Sequence, residues 1–289
     1  MRYYEKCLKA AVLIDSITSG NLKHEWGFSL YLEYKDKTFL LDTGASKKFL
    51  QNAQMLEIDI QKVDAGILTH AHYDHANGLK YFFEKNQKAQ FFISQNASEN
   101  CYSSRFFSPR YIGIKKGTLE QFKNRFSFIK NPTEIFPGVT IIPHFVKNKS
   151  HKTTKQIIKN PAKLPKGTAL ILQGEYFWQK DQFLHEQSLV IKTSQGLVIF
   201  SSCSHIGIVE ICNIIQKHFK GEHIFAFVGG LHLFRKNDEQ IKKLCKQIAN
   251  LPVEYFYAGH CTGENAFNLL KEELGERLFK LFPGEIMLF

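Results

Sequence analysis

The sequence lacks any long apolar run. No window approaches the roughly 18 consecutive apolar residues that a membrane-spanning helix needs, and the segment before the first apolar stretch, Ala10–Asp15, has no signal-peptide core. Paired cysteines are also missing. The six cysteines are scattered, with no Cys-x-x-Cys pair, which disfavours a disulfide framework. A cytoplasmic protein with no membrane partner is therefore expected.

The chain also shows no short-period repeat, low-complexity tract or Gly/Pro-rich linker between its halves. Hydrophobic residues make up 44% and charged residues 22% of 289 residues, which is ordinary for a folded protein. A single domain spanning residues 1–289 is predicted. The oligomeric state stays open.

The charge is unbalanced toward lysine and arginine, with a formal net charge of +11. Such a field favours an anionic partner, a small phosphorylated substrate or nucleic acid. Part of the excess lies in one stretch without Asp or Glu, at Lys147, Lys149, Lys152, Lys155, Lys159, Lys163 and Lys166. The alternative for this stretch is a solvated, flexible basic loop at about residues 146–167.

Apolar periodicity predicts two strand-rich halves. Strands are predicted at 10–15, 28–34, 38–41, 65–69, 90–94, 188–193, 197–201, 224–228 and 253–258, and helices at about 46–55, 76–85, 208–219, 238–250 and 264–274. Ser46 is the predicted N-cap of the first helix, and no element is assigned between 98 and 130. Two sheets packed face to face under surface helices, an α/β four-layer domain, are expected.

The clearest chemical signal is the run Thr69–His75, which begins where a predicted strand ends. It carries four ligand-type side chains, His70, His72, Asp74 and His75. Imidazole suits zinc, iron and manganese, and a neighbouring carboxylate can serve a second ion or orient a water. The run predicts half of a metal site.

One loop cannot complete a catalytic metal site, so further ligands are expected at later strand ends. Three histidine-bearing segments follow predicted strands: Ser202–His205, Gly229–His232 and Gly259–Gly263. Small residues beside each histidine allow the backbone to approach the site closely. Any one of these histidines alone is more often structural, but as a set they favour a metal centre.

With these motifs the chain resembles the metallo-β-lactamase superfamily. Within it, the chain resembles the branch of 7,8-dihydropterin-6-methyl-4-(β-D-ribofuranosyl)aminobenzene-5'-phosphate synthase-like proteins. The residues that carry the resemblance are His24–Ser29, Leu41–Gly44, Thr69–His75 with Asn77–Leu79, Cys203–Ile208, Gly229–Leu233 and Gly259–Gly263. The resemblance implies an αββα sandwich with the metal site at one edge between the sheets.

The resemblance also implies a ligand set. His70 and His72 match ligands of a first metal, and Asp74 and His75 match ligands of a second metal, which His260 closes. One or both of Cys203 and His205 are expected to bind metal, Cys203 as the thiolate. Two divalent ions are implied, with Zn²⁺ expected and Fe or Mn as alternatives.

Two positions near this set are less settled. Asp42 matches an early Asp that orients a ligand histidine, although a turn-forming role in Asp42–Gly44 explains it nearly as well. His185 lies roughly where other superfamily members place a third histidine, whereas this branch usually has an acid there. Whether His185 binds metal stays open.

The expected function is a metal-dependent hydrolase in which a metal-activated hydroxide attacks an ester, lactone or phosphoester of a small anionic substrate. Asp74 would orient the hydroxide or accept its proton, and His232 would donate to the developing charge or the leaving group. One alternative is a phosphodiesterase or nuclease on nucleic acid, which is not favoured. Another is a non-hydrolytic metal or redox protein built on Cys203 and His205.

Overall fold

The computed structural model describes residues 8–17, 20–104, 109–144, 157–158 (backbone only), 170–174 and 178–289. Most of the predicted basic loop at 146–167 lies outside the described residues. None of the helices in the described part combines the length and apolar character that crossing a bilayer requires.

The described strands and helices alternate along the chain. The strands are β1 (Leu8–Ile14), β2 (Ser29–Tyr34), β3 (Lys37–Leu41), β4 (Ala65–Ile67), β5 (Gln90–Ser94), β6 (Cys101–Ser103), β7 (Arg110–Tyr111), β8 (Phe126–Ile129), β9 (Thr133–Phe136), β10 (Val139–Pro143), β11 (Ile157–Ile158), β12 (Leu170–Gln173), β13 (Trp178–Lys180), β14 (Gln187–Thr193), β15 (Gly196–Phe200), β16 (Ile224–Gly229), β17 (Val253–Ala258), β18 (Leu278–Lys280) and β19 (Ile286–Leu288). The helices are α1 (Lys48–Met55), α2 (Tyr73–Ala76), α3 (Leu79–Lys85), α4 (Thr118–Gln121), α5 (Ile208–His218), α6 (Asp238–Ala249) and α7 (Glu264–Leu274), with short 3₁₀ turns at Ile60–Lys62, Lys123–Arg125, His260–Thr262 and Gly275–Arg277.

Two seven-stranded sheets pack against each other. Their strand orders are β19-β1-β2-β3-β4-β5-β8 and β18-β17-β16-β15-β14-β10-β9. The core between them takes Leu41 and Ile67 from the first sheet and Val198 and Phe200 from the second. The outer faces are covered by helices, so the predicted α/β four-layer sandwich is confirmed.

Strand β15 shows why the central strands are apolar on both faces. Side chains alternate across a strand, so Val198 and Phe200 enter the core between the sheets, whereas Leu197 and Ile199 pack under the helices. Helix α5 covers that face with Ile208, Ile211, Cys212 and Ile215, which share one side of a helix.

Parallel pairing brings several strand ends to one edge of the sandwich. In the first sheet, β3, β4 and β5 are parallel, with Leu41 beside Ile67 and Ile67 beside Phe92. In the second, β15, β16 and β17 are parallel. The loops that follow these strands therefore emerge together, as they do in other open α/β sheets.

Two predicted helix boundaries are wrong. The helix expected at 76–85 begins only at Leu79, as α3, and Ala76 is the last residue of the separate helix α2. At Gly78, between the two helices, the chain passes so close to Thr43 that a Cβ would lie 2.1 Å from the Thr43 carbonyl oxygen. Helix α1 has Lys47 at its N-cap position. The predicted cap, Ser46, still accepts the Lys48 backbone amide through its hydroxyl oxygen at 3.3 Å, and it donates that hydroxyl to Glu25 Oε2 at 2.6 Å.

A third sheet was not predicted. It has the order β11-β13-β12-β6-β7. Its strands are two to four residues long, which is too short for periodicity to reveal. Its strand β7 brings Arg110 to the rim of the pocket described below.

Candidate metal centre

The histidine run spans the loop after β4 and the first residues of α2. His72 has extended backbone and precedes the first turn of α2, which contains Asp74 and His75. Its four candidate ligands are buried, with His70, His72, Asp74 and His75 exposed by 7% or less. Four polar side chains withdrawn from water in one loop require partners.

Asp42 supplies partners on one side of the run. Its Oδ2 lies 2.7 Å from His75 Nδ1, and it accepts hydrogen bonds from the Thr69 backbone amide and hydroxyl, each at 2.7 Å. A carboxylate can only accept, so His75 carries its proton on Nδ1 and presents the Nε2 lone pair. The expected role of Asp42 in orienting a histidine is confirmed.

Thr69 sets the tautomer of His70 in a similar way. Because the Thr69 hydroxyl donates to Asp42, it accepts from His70 Nδ1, 2.9 Å away. His70 therefore also presents an Nε2 lone pair, and that atom is buried without a hydrogen-bond partner. Asp42 and Thr69 together set the tautomers of two histidines.

Three imidazoles form a first cluster. The ring centroids of His70, His72 and His205 lie 4.7 to 4.9 Å apart, and their nearest donor atoms lie within 4.8 Å of one another. Burial, and then neighbouring histidines, lower the pKa of His70 and His205 well below the usual value, and burial lowers the pKa of His72 to about 4. Neutral imidazole is the form that binds metal.

A second cluster surrounds Asp74. Its Oδ2 lies 3.7 Å from His75 Nε2 and 3.6 Å from His260 Nε2, and Cys203 Sγ lies 3.3 Å from His75 Nε2. Burial opposes ionisation of Asp74, but His75 and His260 outweigh it and lower the pKa of its carboxyl. The cluster thus combines a carboxylate, two imidazoles and a sulfur.

His260 is held in place by the end of β1. Its backbone amide donates to both carboxylate oxygens of Asp15, at 3.1 and 2.9 Å, and Ser16 Oγ donates to its carbonyl at 3.2 Å. The φ angle of His260 is 49°, in the left-handed region that non-glycine residues rarely adopt. Asp15 stabilises this strained backbone.

Unpartnered atoms test whether a metal fits these clusters. Of nine buried side-chain N and O atoms without a hydrogen-bond partner among the described residues, seven belong to His70, His72, His205, His232 and His260. Buried polar atoms in folded proteins almost always have partners. Seven orphan nitrogens on five adjacent imidazoles fit bound metal ions.

The structure places His205 and His185, two histidines whose metal binding was left open, in different surroundings. His205 lies beside His70 and His72, whereas His185 is engaged elsewhere. His185 Nδ1 accepts the Ala71 amide at 3.1 Å and its Nε2 lies 3.0 Å from Asp181 Oδ2. His185 belongs to a neighbouring buried group with Cys101, Asp181 and His72, whose donor atoms lie within 4.8 Å of one another.

Glu186, which follows His185, holds the His205 loop. Its Oε1 accepts the His205 amide at 2.7 Å, and its Oε2 accepts the Ile206 amide at 3.3 Å and lies 3.0 Å from His144 Nδ1. The acid at this position therefore acts on the backbone of a candidate ligand. This contact joins two segments that are distant in sequence.

Part of each cluster forms the floor of a cavity of about 340 Å³, namely His72 and His205 of the first and Asp74 and Cys203 of the second. Trp26, Phe234, Arg110 and Arg235 line its wall, and Cys203, Asp74 and His232 line it on the inside. The ring of His232 lies 4.3 Å from that of His205, and its Nδ1 is buried without a partner. His232 thus lines the cavity beside the first cluster.

A second cavity, of about 430 Å³, adjoins the first and shares Tyr73 and Arg110 with it. Its lining includes Arg110, Lys115 and Lys116 and no carboxylate. Lys116 Nζ lies 5.2 Å from the centre of the Tyr111 ring. This basic cavity provides an anion-attracting extension of the metal pocket.

Several residues of the site were not predicted as functional. Asp15 and Glu186 act through contacts with the distant residues His260 and His205, for which the sequence has no local signal. Asp181 contacts His185 four residues away, and Arg110 lines the cavity from the unpredicted third sheet. Cys261 is different, because it adjoins His260 and lines the same cavity. The sequence did contain a signal for Cys261. It directly follows His260, much as Cys203 is separated from His205 by one residue.

Comparisons with known proteins identify a family and a similar structure. Residues 27–154 match a family model described as the metallo-beta-lactamase superfamily. The chain is 30% identical to Tm1679, whose structure is described as a metal-dependent hydrolase of the beta-lactamase superfamily, with a TM-score of 0.79 over 98% of this chain and 99% of that one.

Two further relatives are similar to this chain over very different lengths. The chain is 28% identical over 275 residues to a 7,8-dihydropterin-6-methyl-4-(beta-D-ribofuranosyl)-aminobenzene-5'-phosphate synthase of Methanocaldococcus jannaschii, covering 91% of this chain and 90% of the relative. It is 34% identical over 76 residues to an anaerobic nitric oxide reductase flavorubredoxin of Vibrio vulnificus, covering 25% of this chain and 15% of that protein.

Proposed function

Because the chain belongs to the metallo-β-lactamase superfamily, we propose that it is a metal-dependent hydrolase of a small anionic ester, lactone or phosphoester. The observation that carries the proposal is the convergence of orphan imidazole nitrogens, an ionised carboxylate and thiols on the floor of one cavity. Proposed ligands are His70, His72 and His205 for a first ion and Asp74, His75, Cys203 and His260 for a second. Bound divalent ions lower the pKa of water toward neutrality and polarise the bond under attack.

The protein groups around the floor have distinct proposed roles. The ionised Asp74 carboxylate orients the attacking water and accepts its proton. His232 lines the cavity beside the first cluster and donates a hydrogen bond or proton to the oxygen of the leaving group. Trp26 and Phe234, with ring centroids 4.8 Å apart, shield one wall of the pocket from water.

The proposed substrate class follows from the two adjoining cavities. A substrate whose reacting bond lies over the metal floor can extend past Arg110 toward Lys115 and Lys116. These cations favour a phosphate or carboxylate on the substrate. The relative from Methanocaldococcus jannaschii carries a phosphorylated compound in its name, but one fold hosts many reactions, so the proposal stops at the chemical class.

The proposed function is tested by metal analysis and a substrate panel. Protein purified without added metal is expected to contain about two divalent ions per chain, mainly zinc. It is expected to hydrolyse at least one lactone, phosphodiester or phosphomonoester, to stop after chelation and to recover when zinc is restored. Full turnover by protein shown to be free of metal would contradict the proposal.

Arg110 provides a test of the anionic substrate class. For Arg110→Ala we expect KM for the anionic substrate to rise about tenfold with little change in kcat, because one charge-assisted hydrogen bond contributes roughly 1.5 kcal/mol. The matched control is Lys217→Ala, which removes one positive charge from an exposed position on α5. Equal effects of the two substitutions would show that Arg110 does not recognise the substrate.

Two alternatives to the proposed hydrolase can be tested separately. A nuclease or phosphodiesterase acting on nucleic acid depends on the lysines at 147–166, most of which lie outside the described residues, and a binding affinity that does not change with salt would remove it. A redox metal protein agrees with the thiols of the site and the partial similarity to a flavorubredoxin. A colourless zinc protein with hydrolytic activity would remove that alternative.

A further inference from the structure

Cys261 lies in the 3₁₀ turn His260–Thr262 that follows β17. Its side chain is buried, and it lines the floor of the metal cavity together with Cys203. The two sulfur atoms lie 3.3 Å apart. The turn therefore brings two candidate ligands, His260 and Cys261, to the second cluster.

The donor atoms lie close enough to one another to be ligands of one metal ion. Tetrahedral zinc, with Zn–S of about 2.3 Å and Zn–N of about 2.05 Å, holds two sulfur ligands about 3.8 Å apart and a sulfur and a nitrogen about 3.5 Å apart. The Sγ atoms of Cys203 and Cys261 are separated by 3.3 Å, and Cys203 Sγ and His75 Nε2 by 3.3 Å. The donor atoms of Cys203, His260 and Cys261 all lie within 4.8 Å of one another.

The surroundings of Cys261 favour a thiolate at this place. The backbone amide of His232 points at its sulfur, with a nitrogen to sulfur distance of 3.3 Å. An N–H donor stabilises a sulfur that carries negative charge. Gly230 leaves the space for this sulfur, since a Cβ there would lie 2.5 Å from Cys261 Sγ.

We propose that Cys261 is a second thiolate ligand of the second metal, beside Asp74, His75, Cys203 and His260. The proposal deepens the proposed metal centre and rests on it. Two thiolates make this site soft, so it takes zinc or cadmium in preference to magnesium or manganese. The two ions then occupy chemically different sites.

The first experiment uses cobalt-substituted protein, in which each thiolate ligand adds charge-transfer absorption in the near ultraviolet. Cys261→Ala and Cys203→Ala are each expected to remove about half of this absorption, because each leaves one of two thiolates. The double variant should lose it entirely. Cys212→Ala, which removes a buried thiol from α5, should leave the spectrum unchanged. Full absorption in Cys261→Ala would overturn the proposal.

A second measurement needs no variant. X-ray absorption at the zinc edge of the wild-type protein with two ions per chain should give about one sulfur per zinc on average, at about 2.3 Å. About half a sulfur per zinc would exclude Cys261 as a ligand. A Cys203–Cys261 disulfide in the metal-loaded protein, detected by intact mass, would exclude it as well.

The outcome for Cys261 is distinguishable from the outcome for the proposed function. Two thiolates bound to metal in a protein that hydrolyses nothing in the panel would support the ligand assignment and contradict hydrolysis. A single metal-bound thiolate in an active hydrolase would contradict the assignment of Cys261 and support hydrolysis.

Discussion

Replacing His72 with alanine is expected to remove the first ion and to abolish nearly all turnover. His72 is buried, lies 4.7 Å from His70 and 4.8 Å from His205 between ring centroids, and has an Nε2 atom without a hydrogen-bond partner. Loss of one of three imidazoles leaves an incomplete shell for the first ion. Because metal chemistry contributes several kcal/mol, turnover should fall about a thousandfold or more.

The measurement for His72→Ala is metal content per chain together with turnover of the best substrate. The control is His223→Ala, because His223 is exposed, pairs with Glu254 at 3.0 Å and precedes the start of β16, at the opposite end of that strand from His232. Circular dichroism should confirm that both variants fold. Activity in a metal-free His72→Ala protein would show that the site is assigned wrongly.

His205→Ala is expected to remove the first ion and to lower turnover at least about a hundredfold, again because several kcal/mol of metal chemistry are lost. The reason is geometric. His205 lies within 5 Å of both His70 and His72 between ring centroids, and neither of its nitrogens has a hydrogen-bond partner. No other histidine among the described residues lies this close to both while keeping its two nitrogens unpartnered.

The matched variant is His185→Gln, at the position where a third histidine ligand was the alternative. A glutamine side chain can accept the Ala71 amide through its oxygen and donate to Asp181 through its nitrogen, which reproduces both contacts of the imidazole. Metal content should stay unchanged and turnover should stay within about threefold, under 1 kcal/mol of barrier. If His185→Gln loses the metal and His205→Ala keeps it, the proposed roles are reversed.

Backbone strain is concentrated at the same place. Seven described non-glycine residues have positive φ, and Asp42, Ser204, His232 and His260 are four of them. Each lies in a loop at the metal edge of the sandwich. Such conformations persist where surrounding contacts enforce them, as Asp15 does for His260. The fold thus holds the donor atoms near one another at some cost in backbone energy.

Much of the fold followed from local pattern. Strand β5 was predicted with its observed boundaries, and β16, β17 and α7 within one residue, because their alternating or helical burial repeats over five residues or more. The third sheet escaped prediction because β6 and β7 are too short to show a period. The helix predicted at 76–85 begins only at Leu79, after the close approach of Gly78 to Thr43, which periodicity does not record.

For the candidate site, too, the sequence indicated some features and left others open. The run Thr69–His75 and the histidines at later strand ends marked the metal centre, because ligand chemistry is carried by residue type and by position after a strand. Whether His185 binds metal was left open, since it depends on whether its imidazole keeps free nitrogens once the sheets have packed. Asp181 and the Ala71 amide contact the two ring nitrogens of His185. These contacts cannot be read from the residue types alone.

The amino-acid sequence by itself therefore determined that this protein is a two-sheet α/β sandwich with a histidine-rich metal edge. The tertiary structure alone decided which donors share a cluster, that Arg110 links the metal cavity to a basic one, and that Cys261 reaches Cys203. Those facts depend on distances between segments that the sheets bring together. Two sulfur atoms 58 positions apart in the chain lie 3.3 Å apart only after β15 and β17 have taken their places on either side of β16.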